Sequence, residues 1–582
     1  MKKKNKEIIK NGLAIAKKIT KSNKHSNELA IRAKKALMLF LNNDPKEIYN
    51  VDLFYPTIKD YYEQLNEPTK KNDPLISILM PTYNTPETYL RESIESIIIQ
   101  SYKNWELCIA DDSSTTKNVS DIIEEYQKKD NRIKLIKRKV NGHISEATNS
   151  ALKIASGEFI ALMDHDDVLW PNALHEFIKV IRKNRKTDFI YSDEDKIDES
   201  GRIHSYPFLK PDFSPEFLES CNYITHFSCI RRSLVNEIGG LRVGYEGAQD
   251  WDLFIRISEK TKNIYHISKL LYSWRIHEAS TAFSTDAKPY VFEAQAKLLN
   301  DHLLRTGMLG SVEKGIITQH RTIKYEIINH PKILVVVFFD NIEHCQRLIL
   351  SLLTHPGGIK YDILCASSNI VRKDETEAMR NKFKETSISY IFLDSDQQRN
   401  KFKAIAANNI ADYYIFIDSQ IEIISDNWAK ILIADCQIDG AGVVGPVILD
   451  TTRNNIFSAG IGLGYGPNGS LNMLQGMPFD DPHYSRGLYA KSRRNVSAVN
   501  ELIFAISNDS IKLVDSPKTA IELCVELLKH KKRHIYNPYV QAIVNVSLKN
   551  NIEQSTNYQM HDKYLNINFD HSNQRLEVKS SI

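Results

Sequence analysis

The chain has 582 residues, 42% of them hydrophobic, and a formal net charge of +4. This composition excludes a disordered scaffold, and the length predicts two to four domains because single cores rarely exceed about 250 to 300 residues. The seven cysteines are odd in number and include no CxxC pair, which argues against a disulfide framework or structural zinc site and fits a reducing cytosol. No apolar run reaches the roughly 18 residues that span a bilayer, so we expect no membrane-spanning segment.

Positive charge is concentrated in residues 1–50, which contain 13 Lys and Arg against 4 Asp and Glu. Apolar residues recur among these lysines at helical spacing, so we expect a basic helical region over residues 1–70. Such helices either pack on the next domain or lie on the anionic face of the inner membrane, and the sequence leaves both open. No aromatic residue interleaves with the lysines before Phe40, so nucleic acid is not an expected partner.

Three strand-like runs follow a polar link at 65–74, and each ends in polar residues. They are LISILMPTYN from residue 75, ELCIADDSS from residue 106 and GEFIALMDHDD from residue 157, with helix-like segments such as ETYLRESIESIIIQSY between them. This order predicts an α/β, Rossmann-like, mostly parallel sheet, in which the polar strand ends share one ligand-binding edge.

The second half of the chain repeats this plan. ILVVVFFDN at 333–341 matches ISILMPTYN at 76–84, DILCASS at 362–368 matches ELCIADD at 106–112, and YYIFIDSQI at 413–421 matches FIALMDHDD at 159–167. The nearly constant offset indicates a duplicated domain, which we assign to 331–550 and follow with a polar tail at 551–582. The copies differ in their acids, because Asp111, Asp112, Asp166 and Asp167 are replaced by Ser367, Ser368, Gln420 and Ile421.

Asp164 and Asp166 stand two residues apart at the end of a predicted strand. Carboxylates at this spacing can hold Mg²⁺ or Mn²⁺, which act as Lewis acid and template for a departing diphosphate. The alternative is a solvated loop, or a helix N-terminus that favours carboxylates.

A second acidic group precedes the helix-like part of EGAQDWDLFIRISEK. One of Glu246, Asp250 and Asp252 could act as a general base on an acceptor hydroxyl, and the alternative is helix capping by Asp250 with Asp252 in the first turn. Further on, His277 is either a metal or diphosphate ligand or a structural histidine.

Several motifs stand in one order along the first half. They include MPTYN, CIADDSS, NGHISEATNSAL, MDHDDVLWPNAL, NYITH, GAQDWDLFIR and YSWRIHEASTA. Together, over residues 72–285, they resemble glycosyltransferase family 2, in the branch found in bacterial O-antigen and rhamnose-rich polysaccharide assembly, with a weaker match through 331–545. The resemblance implies a GT-A fold, a catalytic domain at 72–325, a nucleotide-diphospho-sugar donor, Mn²⁺ or Mg²⁺, and inversion at the anomeric carbon.

The resemblance also implies roles for donor-side residues. Those expected around the nucleotide are Pro81, Tyr83, Asp112 and Asp164, with Asp112 binding the base and Asp164 near the ribose. Those expected around the metal are Asp164, Asp166 and His277, with Asp166 as the principal ligand.

On the acceptor side, the resemblance implies that Asp250 is the catalytic base. Gln249 precedes it where many family members have Glu, which removes a supporting acid. Trp251, Gln249 and residues 206–226 would shape the acceptor side of the site.

The second copy is expected to be catalytically silent. Aligning ELCVELLKH at 522–530 with DLFIRISEK puts Ala520 opposite Asp250. It would then serve acceptor binding, assembly or fold support. The alternative is a second, metal-independent transferase that uses Asp418 and Glu422.

The main hypothesis is therefore an inverting glycosyltransferase that moves a sugar from dTDP-rhamnose or a UDP-sugar to a lipid-linked or oligosaccharide acceptor of a surface polysaccharide. We expect a cytoplasmic protein, either free or peripheral at the inner membrane face. Two alternatives come from other classes: a non-catalytic sugar-binding or assembly subunit, and a metal-dependent phosphohydrolase or nucleotidyltransferase that uses the same acids.

Overall fold

The computed structural model describes residues 69–116, 118–277, 289–317, 320–367, 377, 379, 381–383, 388–465, 469–545 and 562–569. These residues form two α/β halves in succession, each built on one large mixed sheet. The expected basic helical region lies outside the described residues except for its last two positions.

The first half contains eleven strands and eight helices among its described residues. The strands are β1 (Ile76–Thr82), β2 (Trp105–Asp111), β3 (Ile133–Lys137), β4 (Phe159–Leu162), β5 (Val168–Leu169), β6 (Phe189–Ile197), β7 (His204–Phe208), β8 (Ser228–Arg231), β9 (Ile264–Arg275), β10 (Gly310–Lys314) and β11 (Arg321–Tyr325). The helices are α1 (Glu87–Ile98), α2 (Asn118–Lys129), α3 (His143–Ile154), α4 (Ala173–Lys183), α5 (Pro215–Leu218), α6 (Arg232–Glu237), α7 (Gln249–Lys260) and α8 (Pro289–Thr306).

The first sheet has the strand order β3-β2-β1-β4-β8-β6-β9-β5, with β7 paired to β6. The pairs β1·β2, β2·β3 and β1·β4 are parallel, whereas β8 is antiparallel to both β4 and β6. Every residue of β1 and β2 is buried, as expected for apolar runs that are covered by helices on both faces. The carboxyl ends of β1, β2 and β4 consequently meet at one edge.

The second half contains twelve described strands and seven described helices. The strands are β12 (Ile333–Phe339), β13 (Asp362–Ser367), β14 (Ile388–Phe392), β15 (Tyr413–Asp418), β16 (Ile421–Ile423), β17 (Ala441–Leu449), β18 (Ile456–Ser458), β19 (Ile461–Leu463), β20 (Ser470–Asn472), β21 (Arg494–Val496), β22 (Ile503–Ser507) and β23 (Arg533–Val544). The helices are α9 (Ile342–Thr354), α10 (Ser395–Arg399), α11 (Lys401–Asn408), α12 (Trp428–Cys436), α13 (Tyr484–Lys491), α14 (Asn508–Lys512) and α15 (Ala520–Lys529).

The second sheet repeats the topology of the first. Its order is β14-β13-β12-β15-β22-β17-β23-β16, which is the first order with each strand replaced by its counterpart. The register repeats as well, since Ile76 pairs with Phe159 in the first sheet and Ile333 pairs with Tyr413 in the second. The α/β class with tandem GT-A-like units is thereby confirmed.

The two halves share one interface and part of one core. One hydrophobic cluster runs through both halves, and two others belong to one half each. Across the interface, Ser214 Oγ donates to Asn495 Oδ1 at 2.8 Å, and Tyr489 donates its hydroxyl hydrogen to the Leu209 carbonyl at 3.0 Å. The halves therefore pack as neighbours with matched polar groups.

Within residues 551–582, only 562–569 are described, and they differ from the polar tail that the sequence predicts. Tyr564, Leu565 and Phe569 are 6%, 1% and 3% exposed, and Leu565 and Phe569 insert into the core that both halves share. Across the described parts of the chain, the helices are all too short or too polar to cross a bilayer.

Candidate active site

The candidate site is the crevice at the carboxyl edge of the first sheet. β4 ends at Leu162, and the DHDD sequence begins two residues later, at Asp164. β9 runs toward the same edge and ends at Arg275, two residues before His277. α7 begins beside them with Gln249 and Asp250. Parallel strand ends and helix N-termini of this kind commonly bind anionic ligands.

Asp166 and His277 form a close pair in the crevice. Nε2 of His277 lies 2.7 Å from Oδ2 of Asp166, and the His165 ring lies 3.8 Å from Oδ1. Burial alone would raise the pKa of Asp166, but the neighbouring His165 and the hydrogen bond from His277 hold it below its ordinary value. The structure thus brings together two of the three predicted metal ligands.

Asp164 faces a different histidine. Its Oδ2 lies 3.7 Å from Nε2 of His226, and its side chain is 37% exposed. Withdrawal from bulk water raises the pKa of Asp164, and the carboxylates of Asp166 and Asp250 add to that rise against the opposing effect of His226. The influence of Asp250 puts the expected base and the DHDD acids in one electrostatic environment.

Asp167 is held in the interior and anchors β9. It is fully buried, accepts a hydrogen bond from the Tyr272 hydroxyl and accepts another from the Arg275 backbone N–H at 2.8 Å. Burial raises its pKa well above the ordinary value. The third acid of DHDD therefore joins the turn to the strand that carries His277.

The donor set suits a hard divalent cation. Ligand atoms of Asp164, Asp167 and His226 all lie within 4.8 Å of one another, and Asp166 with His277 lies beside them. Carboxylate oxygens and imidazole nitrogen are ligands that Mn²⁺ accepts, and Mg²⁺ prefers the oxygens. Repulsion between adjacent buried carboxylates also favours a cation there.

Among the three acids near α7, Asp250 is the one that contributes to the raised pKa of Asp164. Its Oδ2 accepts from Asn222 Nδ2 at 2.7 Å, and the N-cap of α7 is Ala248, so Asp250 is not the cap. Asp252 is fully buried between Arg242 and Arg256, and Glu246 accepts the backbone N–H of Gly244.

Gln249 and Trp251 have structural contacts. The Gln249 side chain accepts from the Gly247 N–H at 2.7 Å. Trp251 is 2% exposed, and its indole N–H donates to the Leu218 carbonyl at 2.7 Å. Trp251, which the resemblance assigns to the acceptor side, thus lies in the core, where its amphipathic ring is buried and its N–H finds a partner.

The donor-side residues lie at the ends of β1 and β2. Pro81 is buried within β1, and Tyr83 is 44% exposed just beyond it. Asp112 is 2% exposed, lies 2.7 Å from Arg138 Nε and accepts the Gly142 N–H at 3.0 Å. Tyr83 is open to a ligand, whereas the Asp112 carboxylate is already engaged.

No individual role was predicted from the sequence for three residues that shape this crevice. Asn222 and His226 both come from NYITH, which the sequence assigns only to the acceptor side as a segment. Arg275 is fully buried, donates from Nε to the Asp166 carbonyl at 2.7 Å and from Nη2 to Glu92 at 2.6 Å. An arginine beside a candidate ligand, two residues before His277, was the available signal.

The equivalent edge of the second sheet has different electrostatics. Asp418 ends β15, where its pKa is raised by burial and lowered in part by Lys401. Lys401 also lies 2.5 Å from Glu501 Oε1. Ala520 is the first residue of α15, the counterpart of α7. A lysine ammonium therefore balances these carboxylates.

Comparison with known proteins gives a family match for the first half. Residues 77–239 match the model of glycosyl transferase family 2. The chain is 36% identical over 212 residues to an uncharacterized glycosyltransferase, MJ1057, of Methanocaldococcus jannaschii, covering 35% of this chain and 71% of that protein.

Two longer relatives extend the similarity. The chain is 32% identical over 487 residues to the uncharacterized protein y4gI of Sinorhizobium fredii, covering 81% of this chain and 53% of that protein. It is 31% identical over 383 residues to the O-antigen biosynthesis protein RfbC of Myxococcus xanthus, covering 65% of this chain and 29% of that protein. The chain thus spans about half of the first relative and less than a third of the second.

Proposed function

Because the chain belongs to glycosyltransferase family 2, we propose that it is an inverting, metal-dependent glycosyltransferase that extends a surface polysaccharide. The observation that carries this proposal is the Asp166–His277 pair beside Asp164 at the carboxyl edge of the first sheet, with the Asp250 carboxylate near enough to help raise the pKa of Asp164. The name of the O-antigen biosynthesis relative supports the polysaccharide class.

The donor is a nucleotide-diphospho-sugar bound along the carboxyl ends of β1, β2 and β4. The exposed Tyr83 ring is available to the nucleotide. Asp164, Asp166 and His277 would hold Mn²⁺ or Mg²⁺, which neutralises the diphosphate charge when bound. We take the sugar to be rhamnose from dTDP-rhamnose or a hexose from a UDP-sugar.

The general base is Asp250. Its carboxylate is oriented by Asn222 and by the Trp251 backbone N–H at 2.8 Å. Asp250 takes the proton from an acceptor hydroxyl as that oxygen bonds to the anomeric carbon and the bond to the diphosphate breaks on the opposite face. Removal of such a base typically lowers a rate by about 10²- to 10⁴-fold.

The acceptor is a lipid-linked or oligosaccharide chain that enters beside α7. The excess of Lys and Arg in residues 1–50 supports reaction at the cytoplasmic membrane face, since each basic residue near an anionic surface contributes about 1 kcal/mol.

The second half is catalytically silent in this proposal. Gln420 and Ala520 stand where the first half has Asp166 and Asp250, and Lys401 supplies a fixed positive charge near Asp418. The alternative, a metal-independent transferase that uses Asp418 and Glu422, predicts that Asp418→Ala removes part of the turnover.

The test is donor turnover by the full chain. It would be incubated with Mn²⁺ or Mg²⁺, a panel of UDP- and dTDP-sugars and a membrane lipid extract, and released nucleoside diphosphate would be measured. Release that depends on Asp166 and Asp250 but survives Asp418→Ala supports the proposal. Absence of both turnover and nucleotide binding would leave a non-catalytic sugar-binding or assembly subunit.

A further inference from the structure

Residues 562–569, here called the return segment, connect the second half of the chain to the first. In the second half, Asp562 accepts from Ser497 Oγ at 2.6 Å and from the Leu463 N–H at 2.7 Å. In the first half, the Asp212 N–H donates to the Lys563 carbonyl at 2.7 Å. The return segment thus fixes the relative position of the two sheets through hydrogen bonds to both halves.

Asn566, in the return segment, has a buried side chain that forms hydrogen bonds with the first half. It is 2% exposed, and its Nδ2 donates to both carboxylate oxygens of Asp193, at 3.1 and 2.9 Å, and to the Lys210 carbonyl at 2.8 Å. Asp193 is fully buried and accepts the Lys210 N–H at 2.8 Å. The Asn566 amide, on the other side of the interface, therefore holds the backbone of Lys210 both directly and through Asp193.

Lys210 continues this set of contacts toward the crevice. Its side chain is fully buried, and its Nζ lies 3.1 Å from Glu194 Oε2. The same Nζ donates to the carbonyls of Ile224 at 2.6 Å and His226 at 2.5 Å. Glu194 in turn accepts the His226 N–H at 3.0 Å and the Thr225 hydroxyl at 2.7 Å.

The backbone of residues 224–226 is consequently held on both its N–H and its carbonyl groups. His226 emerges from this backbone with its ring 4.8 Å from the Tyr272 ring and its Nε2 3.7 Å from Asp164 Oδ2. The His226 side chain therefore has little freedom to move, because the backbone that carries it is buried and hydrogen-bonded. Loss of one of these supporting hydrogen bonds changes the position of the side chain.

We propose that Asn566 is a positioning residue for His226, and through it for the donor-side carboxylate Asp164. This inference rests on the proposed function. It also gives the second half a role, because that half anchors the segment that aligns the catalytic crevice of the first half. Asn566 touches neither donor nor acceptor in this scheme.

Asn568 provides a matched control in the same segment. Its Nδ2 donates to the Ser268 carbonyl at 2.9 Å, so Asn568→Ala also removes an amide that the return segment gives to the first half. We expect Asn566→Ala to lower kcat/KM by about 10- to 100-fold, as for lost supporting contacts around metal ligands, with Asn568→Ala near wild type. Asn566→Ala is also the less stable variant, because it removes a donor from buried Asp193, so kcat/KM is measured well below both unfolding temperatures. Asn566→Ser, which keeps one donor, replaces Asn566→Ala if the latter fails to fold.

A double-mutant cycle with His226→Ala separates positioning from a merely structural effect. If Asn566 acts through His226, Asn566→Ala has little further effect in the His226→Ala background; independent effects would add. The cycle is measured on kcat/KM and, by calorimetry, on binding of Mn²⁺ with UDP and with dTDP, so that it remains readable when turnover is low. Additive effects, or equal losses in Asn566→Ala and Asn568→Ala, would overturn the inference.

Wild-type behaviour distinguishes failure of the inference from failure of the proposed function. A wild-type chain that neither turns over a donor nor binds either nucleotide overturns the proposed function, and this inference with it. A wild-type chain that is active while Asn566→Ala matches Asn568→Ala overturns the inference alone.

Discussion

Nε2 of His277 lies 2.7 Å from Oδ2 of Asp166, across 111 residues of chain. We predict that His277→Ala raises the Mn²⁺ concentration for half-maximal activity by about 10- to 100-fold, because the imidazole both supports and completes the carboxylate donor set. Donor turnover measured over a range of Mn²⁺ concentrations gives the half-maximal concentration for each variant.

His355 gives a control for that experiment, since its Nδ1 lies 3.1 Å from Asp426 in the second half. His355→Ala should leave the Mn²⁺ dependence unchanged. If the shift instead follows His226→Ala and not His277→Ala, the cation belongs to the Asp164, Asp167 and His226 group.

Asp250→Asn tests the base. The amide keeps the size of the side chain and one oxygen to accept the Trp251 N–H. Its NH2 group cannot accept from Asn222 as the second carboxylate oxygen does, and it cannot take a proton at neutral pH. We expect kcat to fall by about 10²- to 10⁴-fold with donor KM nearly constant. Asp418→Asn, the matching change in a second-half acid, should leave kcat unaltered, and a wild-type kcat in Asp250→Asn would remove Asp250 from the mechanism.

The sequence was sufficient to predict the duplicated sheets, and the reason is periodicity. Strands β1 and β12 are buried on both faces, so each is a continuous apolar run. Such a run is visible in the local sequence, and it recurs where the fold is duplicated. The edge at which the polar strand ends meet followed from the order of strands and helices.

The detailed roles of the acids could not be predicted, because their partners are remote in sequence. Asp167 is held by Tyr272 and Arg275, more than 100 residues away, and the burial of Trp251 depends on the Leu218 carbonyl. The local sequence around each of these residues is compatible with several roles, and only the tertiary contacts show which role the residue has.

Arg493 tests the interface between the halves. It is 2% exposed and pairs with Glu219 and, at 3.1 Å, with Asp435. Arg493→Met leaves buried Asp435 without its cation and leaves Glu219 with His302 alone, at 3.6 Å, so we expect the free energy of unfolding to fall by about 3 to 5 kcal/mol. Urea unfolding of the full chain, followed by tryptophan fluorescence, measures the change.

The exposed pair of Arg399 with Asp396 supplies the comparison, since these side chains are 67% and 81% exposed. Arg399→Ala should change the unfolding free energy by less than about 0.5 kcal/mol. Equal urea midpoints for Arg493→Met and wild type would mean that the buried ion pairs do not hold the interface.

His302 gives the protein a pH-dependent contribution to stability. Its Nδ1 lies 2.7 Å from Glu259 and its Nε2 3.6 Å from Glu219. Burial alone would lower the pKa of His302, but these two carboxylates raise it to about 9, above the value of about 6.5 in an unfolded chain. A raised folded-state pKa stabilises the charged form, so the contribution is complete below about pH 6.5 and is lost as the pH rises through about 9.

We therefore expect the stability difference between wild type and His302→Gln to shrink as the pH increases from about 6.5 to about 9.5. The size of this change is up to about 3 kcal/mol, from about 1.36 kcal/mol for each pKa unit. Thermal unfolding at several pH values measures it, with the half-buried His355, changed to Gln, as the control. A difference that stays constant over this range would show that His302 is not charged in the folded protein, and that its two glutamates are neutralised by Arg305 and Arg493 alone.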